Sequence, residues 1–148
     1  MTMILPHIHL RNPYRIPKDL ASLVVARDRV CIYCQNDFAP IGPKGNRRAS
    51  WEHIINDVNL ITLENIAVCC TGCNSSKGVK NLRAWLLSPY CTMNSINAHK
   101  LAPVALAALQ FQIRSDSETH NHGNLVVQKS IIFGSSQNTQ AEPPENAA

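Results

Sequence analysis

Two pairs of cysteines, Cys31-x-x-Cys34 and Cys70-x-x-Cys73, carry the clearest chemistry in this sequence. Two residues between paired thiols let both sulfurs turn toward one ion. Two such pairs complete the tetrahedron of thiolates that holds a structural Zn²⁺. Redox pairs of the same spelling come singly and follow a strand of a βαβ unit, a pattern absent here. Between the two pairs, Glu52 directly precedes His53, and Asn65 stands before the apolar run Ile66-Ala67-Val68. Asn74 follows Cys73. A neutral imidazole beside a carboxylate points to proton transfer near pH 7. Each residue taken alone also has an ordinary reading. His53 reads as a core histidine, Glu52 as an exposed strand residue, Asn65 as a turn former and Asn74 as a helix cap.

Taken together, Glu52-His53, then Asn65, then Cys70-x-x-Cys73-Asn74 with Lys77 and Gly78 behind it resemble the HNH endonuclease family over residues 31–87. The resemblance implies an α+β fold: a ββα-metal (His-Me finger) core with zinc-binding CxxC…CxxC knuckles and flanking helices. It implies a metal-dependent endonuclease that hydrolyses DNA phosphodiester bonds, leaving 5′-phosphate and 3′-hydroxyl ends. His53 would be the general base, with its second ring nitrogen bonded to an acceptor such as a backbone carbonyl. Asn65 would brace the loop that follows His53. Glu52 and Asn74 would hold a catalytic Mg²⁺ or Mn²⁺, since carboxylate and amide oxygens are hard donors. Many family members carry His where this chain has Asn74. Two protein ligands imply loose binding, and so Mg²⁺ or Mn²⁺ rather than tightly held Zn²⁺. The alternative is a zinc-supported nucleic-acid-binding module whose catalytic site has decayed.

The elements that must position these residues follow from period and punctuation. Residues 1–16, with two prolines, read as an arm, and 17–114 as the nuclease domain. A helix is expected over about 17–29, with Pro17 at its first position. Residues 30–34 read as a short strand entering the first knuckle, and 36–47 as a Pro- and Gly-rich loop. Strands are expected at 49–55 and 66–70. One helix should run from about 71 to 87, with Val79, Leu82, Trp85 and Leu86 inward and Lys77, Lys80 and Arg83 outward. Another should cover 102–112. Residues 115–148 read as a polar, disordered tail. The adjacent His120-Asn121-His122 in that tail is a coincidence of spelling. Trp51 and Trp85 are expected in the core.

Charge agrees with a polyanionic partner. Residues 1–100 carry net +6, whereas 101–148 carry net −2. Lys77, Lys80, Arg83, Arg47 and Arg48 are the candidate phosphate contacts with DNA, and they position the backbone without reading bases. No run approaches the roughly 18 apolar residues of a membrane span, and the first residues lack the pattern of a signal peptide. Six cysteines without an export signal suit a reducing cytoplasm, bacterial or that of a phage-infected host.

Overall fold

The computed structural model describes residues 10–39 and 45–133, with side chains as far as residue 118. At its centre β1 (Ala49–His53) and β2 (Ile66–Cys70) pair antiparallel, from Ala49 opposite Cys70 to His53 opposite Ile66. All five residues of β2 are buried, so both faces of the hairpin need a cover, and the two-residue side-chain period sorts what each face meets. On one face Trp51, Ile66 and Val68 pack with Ile16 and Val24, the latter from α1 (Lys18–Arg27). On the other, Ala67 and Cys69 pack with Ile32, Tyr33, Leu82 and Trp85. Trp51 and Trp85 are both core residues, as expected.

Helix α1 starts one residue later than expected, with Pro17 as its cap. It ends at Asp28, whose Oδ2 accepts the Val68 N–H at 2.9 Å, while Arg27 Nη2 donates to the Ile66 carbonyl at 2.8 Å. The end of α1 therefore satisfies part of the outer edge of β2, and the Ile32 N–H reaches the Val68 carbonyl on the same edge at 3.4 Å. Residues 30–34 are not a strand. Val30 makes a single bridge to Asp37, and Gln35 N–H bonds back to the Cys31 carbonyl at 2.9 Å with Gln35 at φ 59°. The chain must curl there to bring both thiols of Cys31 and Cys34 to one side.

β2 runs directly into α2 (Thr71–Lys77), completing the ββα unit. The single helix expected over 71–87 is instead three short ones: α2, α3 (Leu82–Leu86) and α4 (Pro89–Met93). Gly78 at φ 51° ends α2 in a conformation that favours glycine. Asn81 then caps α3 by accepting the Arg83 N–H, and Ser88 caps α4 with Pro89 in its first turn. The break rotates the faces. Val79, expected inward, is 89 % exposed, and Lys77, expected outward, is fully buried. Leu82 and Trp85 do enter the core.

The last helix, α5, spans Pro103–Phe133, so the tail read as disordered from Ser115 is helical as far as Phe133. Ala, Leu and Gln recur after Pro103, and no second proline interrupts the run. The described chain divides into two units, Met1–Ile113 and Arg114–Ala148. Every element from α1 to α4 belongs to the first. Among the described residues no helix is long and apolar enough to cross a membrane.

Candidate metal centre and active site

Cys31 and Cys34 come from the curled turn, Cys70 from the last position of β2 and Cys73 from the first turn of α2. Their four Sγ atoms lie within 4.8 Å of one another, and all four residues are buried. Cys34 Sγ and Cys70 Sγ are 3.9 Å apart. A tetrahedron with Zn–S bonds of roughly 2.3 Å would space its sulfurs about 3.8 Å apart. The donor set therefore fits one tetrahedral metal ion of the zinc type.

Hydrogen-bond donors reach two of the sulfurs. Cys73 N–H donates to Cys70 Sγ at 3.5 Å, and the Tyr90 hydroxyl lies 3.8 Å from Cys73 Sγ. Hydrogen bonding within the cluster divides the four thiols: bonding to Cys31 pulls Cys34 and Cys70 below the ordinary range, Cys70 to about 7, whereas bonding to the other sulfurs pushes Cys31 and Cys73 above it. Gly72 inside the second knuckle is a matter of space. A Cβ there would stand 3.0 Å from both the Asn46 carbonyl and the Tyr90 hydroxyl. None of the six cysteines is in a disulfide.

The regular pleat of β1 sends Glu52 and His53 to opposite faces. Glu52 lies among core residues at 4 % exposure. Its Oε1 is 2.7 Å from the Lys77 ammonium and accepts the Tyr33 hydroxyl at 2.8 Å. Burial raises its pKa, while Lys77 and the Tyr33 hydroxyl oppose the rise. The carboxylate already has a cation supplied by the chain. As it stands, it does not fit a divalent ion, because a second positive charge would sit against a buried ammonium. Lys77 therefore cannot touch DNA phosphates as expected. It is a buried partner of Glu52, and it also donates to the His53 carbonyl at 3.4 Å.

His53 ends β1 at 8 % exposure. Its Nε2 is buried and has no hydrogen-bond partner, so the expected bond from the ring to a backbone carbonyl is not made among the described residues. Tyr14 meets the imidazole edge-on, with centroids 4.8 Å apart and planes at 76°. Burial, followed by the positive charge of Lys77, holds the imidazole below its usual pKa, and Asp57 opposes this. The ring is thereby kept neutral at pH 7.

Asn65 is buried and ties down the chain after His53. Its Oδ1 accepts the Ile55 N–H at 2.7 Å, and its Nδ2 donates to the carbonyls of Ile55 at 3.1 Å and Leu60 at 3.0 Å. Three bonds to one loop from one amide fix the turn leaving β1. Asn74, half-buried in α2, donates through Nδ2 to Ser50 Oγ and the Trp51 carbonyl, both at 3.0 Å, and so ties the helix to the strand. Arg47, Arg48, Lys80 and Arg83 are exposed.

Sequence reasoning missed Tyr33 and Tyr14. Tyr33 sits inside the first knuckle, where its neighbours drew attention to sulfur. Tyr14 lies in the arm, where no periodicity marks a contact.

No family model, curated protein or solved structure matches this chain. The class rests on the fold and the cluster. The molecule is an α+β protein with a ββα unit flanked by helices and a four-cysteine knuckle able to hold a metal ion. At that general level it agrees with the His-Me/HNH superfamily and with a metal-binding, nuclease-like module.

Proposed function

We propose that the protein is an endonuclease of the HNH type that hydrolyses DNA phosphodiester bonds, with a structural Zn²⁺ on Cys31, Cys34, Cys70 and Cys73. The observation that carries this reading is His53, whose buried Nε2 has no partner among the described residues and whose ring is biased toward the neutral form. An unsatisfied buried nitrogen is costly unless something uses it. In this reading the imidazole accepts a proton from the water that attacks phosphorus. Asn65 holds the Ile55–Leu60 loop and so keeps the end of β1, and the base on it, in place. Arg47, Arg48, Lys80 and Arg83 supply the positive surface for the DNA backbone, which makes binding salt-dependent. A reducing, cytoplasmic setting suits six cysteines without a disulfide.

The resemblance further assigns Mg²⁺ or Mn²⁺ to Glu52 and Asn74. Asn74 offers an amide oxygen as a hard donor, its Nδ2 being committed to Ser50 and Trp51. Glu52 is committed to Lys77, so no step is assigned to that cation. The same commitment favours a second reading, a zinc-supported DNA-binding module without catalysis.

The deciding experiment is His53→Ala on supercoiled plasmid, with Mg²⁺ or Mn²⁺ supplied. Cleavage falls by roughly 10²–10⁴-fold, the usual contribution of a general base, while zinc content, thermal unfolding and DNA affinity stay at wild-type values. Equal DNA binding by both proteins, with neither cutting under any metal, makes the binding module the correct reading.

A further inference from the structure

The imidazole of His53 makes no hydrogen bond among the described residues, yet a general base must present one nitrogen in one direction. What the ring does touch is Tyr14, edge to face at 4.8 Å and 76°. The arm holds Tyr14 there at a conformational cost. Arg15, the next residue, sits at φ 54°, a region that side chains with a Cβ seldom occupy. Two bonds keep it there: Ile16 N–H donates to Asn12 Oδ1 at 2.9 Å, and Asn12 Nδ2 donates to the Ile16 carbonyl at 2.7 Å. Ile16 itself is 2 % exposed, and Leu10 packs on the same cluster. A closed Asn12–Ile16 turn anchored at both ends therefore projects one aromatic ring onto the imidazole. Tyr14 stays 43 % exposed, so burying its own surface does not explain its place.

We infer that Tyr14 is a positioning residue for His53, and this role rests on the reading of His53 as the base. Aromatic pairs prefer the perpendicular arrangement because a positive ring edge meets a negative ring face. Such a contact limits rotation about the terminal side-chain torsion of His53, which is otherwise broad. The ring supplies the orientation that a hydrogen bond supplies elsewhere. What matters is the aromatic ring, not the hydroxyl.

Three variants test it: Tyr14→Ala, Tyr14→Leu and Tyr14→Phe. Single-turnover plasmid cleavage at saturating protein should fall roughly tenfold in Tyr14→Ala and Tyr14→Leu, the size of one aromatic contact. Tyr14→Phe should restore it. DNA affinity and zinc content should stay unchanged throughout. Independently of activity, the His53 ring-proton resonances, assigned by comparison with His53→Ala, should shift in the Ala and Leu variants and return in Phe. Cleavage that rises in Tyr14→Ala would make the ring a cover over the base and overturn the proposal. Unchanged cleavage, or a loss in Phe equal to that in Ala, also overturns it. A wild type that never cuts, with the ring shift intact, removes the base assignment and this role with it while leaving the contact real.

Discussion

Helix α2 serves two charge centres, and they are closed in opposite ways. Near its start Cys73 joins three other buried thiols, and the Cys73 N–H and the Tyr90 hydroxyl donate to the cluster. Four thiolates so close repel, and a shared cation is what stabilises them together. At its end Lys77 reaches Glu52, and Tyr33 completes the set. There the neutralising cation is part of the chain. The difference teaches that proximity of metal-ligand residue types is not enough. A donor set is open to an ion only when no side chain already supplies the opposite charge.

The largest effect that sharpens this contrast is at the cysteines. Cys70→Ser should abolish folding, because metal binding contributes on the order of 10 kcal/mol to domains of this kind. Elemental analysis of wild type should find about one Zn²⁺ per chain, as a closed four-thiolate site retains its ion. A folded wild type without zinc would erase the distinction between the two centres.

The Glu52–Lys77 pair should respond differently. Lys77→Met leaves a carboxylate at 4 % exposure without its cation, with only the Tyr33 hydroxyl still shown donating to it, and should cost about 3–5 kcal/mol in urea unfolding. Removing both charges, in Glu52→Gln/Lys77→Met, should recover most of that loss with zinc content unchanged. Lys80→Met, on the exposed side, should stay within about 0.5 kcal/mol. A Lys77→Met protein as stable as wild type would mean that the pair is not closed, and would reopen Glu52 to a metal.

These two centres were unequally readable from sequence. Spacing alone dictates that two C-x-x-C pairs converge, and the apolar run at Ile66–Cys70 forms the strand its composition requires. The bracing role of Asn65 followed from the family pattern, and its three bonds to the Ile55–Leu60 loop are present. Lys77 was misplaced because a continuous helical period carried it outward, whereas Gly78 stops the helix there. Its partners Glu52 and Tyr33 lie on other segments, and no local pattern encodes a tertiary ion pair. Residues after Ser115 looked disordered by polarity, yet polar residues with no further proline also continue a helix.

The smallest expected effect is in pH, and it separates His53 from both centres. An unperturbed histidine titrates near 6.5. Burial first, then the neighbouring Lys77 charge, lowers the folded value, with Asp57 working against them. Two signs follow. If neutral His53 is the base, cleavage should hold level as pH falls through 6.5 and decline only below it. For stability, the unfolded chain takes up this proton first, so the contribution of His53 is present above 6.5 and is lost as pH falls through the lower folded value. His53→Gln carries no such proton. The stability of wild type relative to His53→Gln, read by urea unfolding from about pH 8 to about pH 5, should therefore decrease toward acid, with the cysteine cluster common to both. An acid limb at or above 6.5 would mean that the Asp57 carboxylate outweighs burial and Lys77. Were that limb to lie above about pH 7, the ring would be mostly charged there and unable to serve as the base.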